Sequence, residues 1–268
     1  MKADYLNAID QGFSSIYEEY EFLSKHNYID ISRRNFIRKE VDFYLKPHHK
    51  ILEINSGSGI DAVYFAQKGN FVLATDIATG AETHISKKIE LLKLDNLKFK
   101  KCSFTELQTI ESQKFDYIFS NYGGLNCTDN LESVFKQFDE LLNPNGYITL
   151  VIMPPYYPIE MLTFFKGNKK AFRRWNKNGA IANVETQSIE TYYYTPNQVK
   201  KVMPKNYAHI KTTNIGTFYP SSHYQSISKQ KNLVSKLIQF DQWINRTPLM
   251  FKGIGDYYII TFQKKLHE

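Results

Sequence analysis

Apolar residues from Tyr5 to Leu45 recur at helical spacing, with Phe13, Ile16, Tyr17, Tyr20 and Leu23 in one set and Phe36, Ile37, Val41, Phe43, Tyr44 and Leu45 in another. Two helices are therefore expected over residues 1–46, the second stopped by Pro47. The pattern then changes. Ile51-Leu52-Glu53-Ile54 is a short apolar run of the kind a buried strand makes. After it, helical segments (Asp61 to Lys68, Ala81 to Leu92, Leu131 to Leu142) alternate with strand-like runs at Phe71–Thr75, Leu97–Lys101, Phe115–Ser120 and Tyr147–Met153. A short helical turn is expected around Thr105 to Leu107, and Asn143-Pro144-Asn145-Gly146 reads as a tight turn. Strands separated by helices of this length predict an α/β fold with a doubly wound, mostly parallel sheet.

The pattern loosens after residue 153. Residues 154–195 open on Pro154-Pro155, run through a basic stretch from Lys166 to Arg174, and hold two strand-like runs, Ala182–Thr186 and Ile189–Tyr194. This segment is expected to be a cap inserted into the domain. Residues 196–268 return to the sheet: a short helix after Thr195-Pro196, a strand at Ala208–Phe218, a helix at Leu233–Ile244 and a last strand at Asp256–Gln263. The expectation is one domain over residues 1–268, with its main α/β core at 50–153.

Composition adds limits. No apolar run nears the roughly 18 residues a membrane span needs, and Asp4 precedes any apolar run, so neither a membrane partner nor a signal peptide is expected. The two cysteines, Cys102 and Cys127, cannot build a disulfide framework, and no metal constellation stands out; a reducing, cytoplasmic setting is expected. The net charge of +7 suggests an anionic partner, but the Lys and Arg are dispersed; the pairs Arg33-Arg34, Arg38-Lys39, Lys169-Lys170 and Arg173-Arg174 read as solvated surface. A nucleic-acid partner is not expected. With 19 Tyr and 19 Phe, several of them outside the core strands, an aromatic-lined pocket is a candidate.

The chemistry gathers after the first strand. Gly57-Ser58-Gly59 joins a strand to a helix N-terminus, a turn that lets a ligand approach the backbone closely. Gly57-Ser58-Gly59-Ile60-Asp61-Ala62 also fits the G-x-G-x-x-A pattern of nicotinamide- and flavin-binding folds. Asp76, at the tip of the second strand, stands beside this turn and can accept hydrogen bonds from both ribose hydroxyls. Both nucleoside-cofactor readings share it.

Taken in order, these segments resemble a class I S-adenosylmethionine-dependent methyltransferase of the bacterial small-molecule type, over residues 13 to 264. Glu53-Ile54-Asn55-Ser56-Gly57-Ser58-Gly59 matches the family's E/D-x-G-x-G-x-G turn, with Asn55 at the first Gly; Asn tolerates left-handed geometry. Phe115-Asp116-Tyr117-Ile118-Phe119-Ser120-Asn121 corresponds to strand four, and Leu141-Leu142-Asn143-Pro144-Asn145-Gly146-Tyr147 to the approach to strand five. Phe13-Ser14-Ser15-Ile16-Tyr17-Glu18-Glu19-Tyr20-Glu21 is similar to the F-D-x-x-A-x-x-Y-D segment ahead of the sheet. The resemblance implies a seven-stranded Rossmann-like sheet with a reversed antiparallel edge and S-adenosyl-L-methionine as cofactor. It implies a cofactor site of Tyr20, Glu53, Asn55, Gly57, Gly59, Asp76, Ile77, Ser103, Phe104 and Asn121. The acid many members carry at the end of strand three is replaced around Cys102-Ser103, which leaves Ser103 and Phe104 to meet the adenine.

Strands one and four should flank the point where the strand order reverses, so the loop Asn121 to Cys127 faces the same crevice. Tyr122 and Asn126 are candidate substrate contacts there, with Arg173 and His223 from the later segments, and Arg33 or Arg34 is a candidate for the methionyl carboxylate. Cys127 reads as a small buried residue. Met153-Pro154-Pro155-Tyr156 imitates the motif of amino-group methylases, but it ends strand five with no Asn or Asp before the prolines, and reads as a rigid exit into the cap. The function expected is methyl transfer to a small molecule by in-line displacement, governed by positioning and with no assigned catalytic side chain. Two alternatives stay open: an NAD(P)-dependent oxidoreductase, and a basic, non-catalytic RNA-binding protein.

Overall fold

Helix α1 (Ala3–His26) and helix α2 (Tyr28–Asp42) are separated by Asn27, whose side-chain oxygen accepts from the Ile29 and Asp30 N–H groups and caps α2. Helix α2 ends at Asp42, ahead of the expected stop at Pro47. The alternating region follows as β1 (Lys50–Ile54), α3 (Ile60–Gln67), β2 (Phe71–Asp76), α4 (Thr79–Leu92), β3 (Leu97–Lys101), β4 (Phe115–Ser120), α5 (Leu131–Leu141) and β5 (Leu142–Ile152). The cap holds α6 (Pro158–Leu162), two short 3-10 turns and an antiparallel hairpin of β6 (Ala180–Val184) and β7 (Gln187–Thr191). The chain closes with α7 (Pro196–Val202), β8 (Tyr207–Ile215), α8 (Gln225–Ser228), α9 (Lys231–Ile244) and β9 (Tyr257–Lys264). This computed structural model describes residues 3–110, 113–184, 187–222, 224–247 and 251–266.

Seven strands form one sheet in the order β3-β2-β1-β4-β5-β9-β8. Pairings from β3 to β5 are parallel, and β9 runs antiparallel to both β5 and β8. The reversed strand thus lies one place in from the edge. Both faces of the sheet are covered, which explains why the strands read as near-continuous apolar runs. Side chains alternate between faces: Leu52, Ile118, Ile148 and Ile260 pack with Val134, Phe135 and Phe138 of α5. Ile51, Tyr117, Val151 and Ile259 pack with Phe65 of α3, Ile37 and Val41 of α2 and Val234 of α9.

One expected turn is not a separate element. Asn143–Gly146 lie inside β5, where the register against β4 shifts between Phe115 and Tyr117 and Asn145 takes a left-handed φ of 62°. Asn143 Nδ2 donates to Asp116 Oδ1 at 2.8 Å, so the strand absorbs its turn residues as an irregularity instead of breaking. No helix among the described residues is long and apolar enough to cross a membrane.

Candidate active site

The strand order reverses between β1 and β4, so the loops leaving their C-terminal ends diverge and open a crevice. Helices α1 and α2 and the cap roof it, leaving a cavity of about 330 Å³. That volume falls at the small end of the range typical of ligand sites.

The floor is the turn after β1. Asn55, Gly57 and Gly59 all adopt positive φ, at 56°, 54° and 79°. Asn55 holds its geometry by donating from Nδ2 to Ser120 Oγ at 2.8 Å, which ties the turn to the end of β4. Gly59 sits behind the cavity wall: a Cβ there would lie 2.5 Å from Ile85 Cγ1, so the glycine lets α3 start close against α4. Asp76 closes the side of the turn. Its Oδ2 accepts from Gly57 N and its Oδ1 from Ala78 N, at 2.8 and 2.9 Å. A carboxylate offers about four acceptor positions, so each oxygen keeps capacity for a further donor. Burial raises the Asp76 pKa, against the pull of these N–H groups.

Behind the turn lies a charged cluster. Asp61 accepts from Arg34 Nη1 at 2.6 Å, Arg38 Nε at 2.8 Å and Asn121 Nδ2 at 2.8 Å. Burial works against its charge, but the two guanidinium groups hold the Asp61 carboxyl below the usual range. Glu53 has no such partners. Burial and then the Asp61 charge push its carboxyl well above the usual range.

The cavity wall carries an uncommon concentration of unsatisfied polarity. Ten buried side-chain polar atoms lack a hydrogen-bond partner among the described residues, and six of them belong to cavity-lining residues: Tyr17, Asp30, Arg33, Arg34, Glu53 and Ser56. Native proteins leave few such atoms, because each one costs about 1–3 kcal/mol. Their gathering at one cavity fits a polar, multiply charged ligand.

The expected residues divide as follows. Tyr20, Glu53, Asn55, Gly57, Asp76, Ile77, Phe104, Asn121, Tyr122 and Arg173 line the cavity. Ser103 lies outside the lining, its hydroxyl engaged with Thr105, so Phe104 alone represents that segment. Asn126 is corrected: it is fully buried, bonding Met153 N and O and the Tyr192 carbonyl, and so pins the β4 loop to β5 and the cap. His223 falls outside the described residues. Arg33 and Arg34 are not surface groups; both are buried, Arg33 against Asp256 at 3.0 Å and Arg34 against Asp61. Tyr122 donates its hydroxyl to Asp30 Oδ1 at 2.8 Å and lies under the Arg34 guanidinium, 4.5 Å from its ring centroid. Burial raises the Cys127 thiol pKa to about 12, which makes it a poor nucleophile at neutral pH.

Sequence reasoning passed over Tyr17, Ser56 and Asp61. Tyr17 is one helical turn before Tyr20, on the same face of α1, and that spacing was the available signal. Tyr193 and Tyr257 also line the cavity, with nothing in their local sequence to mark them.

Residues 51–146 match the family model described as a methyltransferase domain. No curated protein sequence matches the chain significantly. Among solved structures 1137 chains match, so likeness of this kind places the fold without choosing a substrate. The S-adenosylhomocysteine complex of DhpI is 10% identical with a TM-score of 0.60, covering 100% of both chains. The 1,6-didemethyltoxoflavin-N1-methyltransferase of Burkholderia thailandensis, solved with 1,6-didemethyltoxoflavin and S-adenosylhomocysteine, is 14% identical with a TM-score of 0.59, over 99% of this chain and 92% of that one. The [4+2]-cyclase SpnF is similar at 11% identity and a TM-score of 0.55, over 86% of this chain and 80% of that one.

Proposed function

We propose that this chain is a class I S-adenosylmethionine-dependent methyltransferase, a reading the methyltransferase-domain match over residues 51–146 supports, and that it methylates a small acceptor seated over the ends of β4 and β5, where Tyr122, Met153, Arg173, Tyr193 and Tyr257 line the cavity. The observation that carries the reading is the Asp76 carboxylate beside the left-handed turn, with orphaned polar atoms of both charges on the same wall. S-adenosylmethionine, when bound, supplies a methyl group that its sulfonium charge has already activated for displacement. The free acceptor positions of Asp76 suit the two ribose hydroxyls. Ile77 and Phe104 supply apolar surface for the adenine. The unpartnered oxygen of Glu53 suits the methionyl ammonium, and the unpartnered Nε of Arg34 its carboxylate.

No histidine lines the cavity among the described residues, and the one cysteine there is held as a thiol. The chain therefore contributes orientation and exclusion of water, effects able to lower a barrier by about 7–11 kcal/mol. Tyrosine rings at the acceptor end favour a flat apolar body. Arg173 bonds Glu160 Oε1 through Nε at 2.7 Å, and its Nη groups make no hydrogen bond among the described residues, which favours an acidic substituent. Arg174 is not available for that purpose, being held by Glu160 and Asp256. The methyltransferase-domain match over the same glycine turn weighs against the oxidoreductase reading. An RNA-binding reading gains nothing from a cavity of about 330 Å³ roofed by α1, α2 and the cap.

Calorimetric titration with S-adenosylmethionine, S-adenosylhomocysteine and NADH tests the cofactor half. Binding of the first two, weakened about tenfold to a hundredfold in Asp76→Ala, is expected. Binding of NADH alone overturns the reading. Transfer of labelled methyl to aromatic acids but not to their neutral analogues, with the preference lost in Arg173→Ala, tests the acceptor half. An unchanged preference removes Arg173 from it.

A further inference from the structure

The cap presents a second surface whose chemistry the methyl-transfer site does not use. Leu162 at the end of α6, Phe164 and Phe165 on the 3-10 turn that follows, and Phe172 and Trp175 at the next turn are all exposed, Phe165 by 84% and Leu162 by 58%. The aromatic residues are contiguous. Phe172 lies 5.4 Å from Phe164 and 4.9 Å from Trp175, centroid to centroid, and Tyr156 extends the run 6.0 Å beyond Trp175. Soluble proteins rarely leave such clusters open without a partner.

The charge around the patch is one-sided. From Met161 to Val184 the chain has no Asp or Glu, while Lys166, Lys169, Lys170 and Lys177 are all exposed. Within the same stretch Arg174 is held by Glu160 and Asp256, and Arg173 bonds Glu160 and lines the cavity, so the four lysines are the charges the methyl-transfer site does not use.

We propose that this face of the cap docks on an anionic lipid bilayer, with the aromatic side chains entering the interface and the lysines meeting the headgroups. Three features favour a bilayer over other occupants. A second copy using the same patch would set lysines against lysines across a two-fold axis. The apolar side chains project from short turns as exposed rings, around which a bilayer deforms. Aromatic residues flanked by lysines match the two ingredients of interfacial binding, apolar burial and attraction to anionic lipid. The expectation of no membrane partner rested on the lack of a spanning segment, which does not bear on peripheral attachment. Arg173 lines the cavity and lies between Phe172 and Trp175 in the chain, so one short turn contributes to both the patch and the cavity wall. The proposal is independent of the identity of the acceptor.

Flotation of the full chain with vesicles of phosphatidylcholine alone, and of phosphatidylcholine doped with phosphatidylserine, tests it. The protein should float with the anionic vesicles and not the neutral ones, and less so as salt is raised. The double variant Phe164→Ser/Phe165→Ser and the double variant Lys169→Glu/Lys170→Glu should each weaken binding by about tenfold or more. Phe43→Ser, at a residue 82% exposed on the helix-to-strand connection, should bind as the native protein does. Unchanged circular dichroism and cofactor affinity certify the variants as folded. Lack of flotation at low salt overturns the proposal. So does flotation that survives the phenylalanine changes, since that leaves only unspecific charge attraction. Self-association abolished by the phenylalanine changes, without vesicle binding, assigns the face to a second copy instead.

Discussion

Glu53 lies next to last in a strand whose other buried residues are apolar, and one of its carboxyl oxygens has no hydrogen-bond partner among the described residues. Burial keeps this carboxyl protonated well above the usual range while Asp61, gripped by two arginines, stays ionised. A ligand cation placed beside Glu53 favours its ionised form, so cofactor binding should release a proton and tighten as pH rises. Calorimetry in two buffers of different ionisation heat reads that release, and Glu53→Gln should abolish the buffer dependence. A native protein with no buffer dependence sinks the idea. The same group shapes stability. Above about pH 4.3, the ordinary Glu value, the folded chain holds a proton that the unfolded chain has lost, so stability falls as pH rises. Asp241, pushed up to about 6 by burial against three backbone N–H bonds, adds a fall of the same sign between about 4 and 6. Glu53→Gln should therefore remove the decline above pH 6 and reduce the lower part to the share Asp241 contributes. At this scale the sequence was informative where spacing fixes geometry, as for Glu53, Gly57 and Asp76. It was silent on Tyr17, Ser56 and Asp61, whose roles depend on how α1 and α2 settle over the sheet. Asn126 misled because an amide in a ligand-facing loop and an amide that pairs with backbone look alike in one dimension.

Among the elements, the β1–α3 turn shows how a glycine can serve the site from behind. Gly59 combines a φ of 79° with a Cβ position 2.5 Å from Ile85, whereas Gly69, at φ 86°, has nothing within 4 Å. Both alanine substitutions pay the left-handed penalty of about 1–2 kcal/mol, and Gly59→Ala should lose a further 1–3 kcal/mol or so by overpacking against α4. Urea denaturation of the two variants measures the difference, and equal losses would mean that α4 shifts without resistance. The α/β alternation was legible to within a few residues because buried strands and amphipathic helices carry different apolar periods. Asn143–Gly146 were not legible as part of β5, since Pro and Gly signal a turn locally while pairing with β4 and β9 decides the element. The hairpin β6–β7 was visible as two strand-like runs. Its packing against α1, which builds the roof from Ile9, Phe13, Ala182 and Ile189, has no local sequence signal.

Across the molecule, one buried ionic chain joins regions distant in sequence. Arg33 of α2 donates to Asp256 Oδ2 at 3.0 Å, and Arg174 of the cap donates to Asp256 Oδ1 at 2.9 Å and to Glu160 Oε2 at 2.7 Å. Tyr257 and Tyr219 flank Arg33, and Tyr157 and Tyr193 flank Arg174, so the guanidinium groups are sheathed in rings. The N-terminal helices, the cap and the strand that reverses the sheet thus meet at a single carboxylate beside the cavity. Its removal leaves two guanidinium groups buried without their shared counter-charge, and breaking a buried pair in this way costs about 3–5 kcal/mol. Asp256→Asn should destabilise by that order in urea denaturation, although it preserves side-chain shape. Glu160→Gln is the comparison: Arg174 keeps Asp256, so the loss should be about 1–2 kcal/mol. The two variants should also separate in cofactor binding. Asp256→Asn frees α2, which carries Arg34 toward the cavity, and should weaken S-adenosylmethionine; Glu160→Gln loosens the cap alone and should act on the acceptor. Equal, small losses in both variants would show that packing, and not this ionic chain, seats the cap on the sheet.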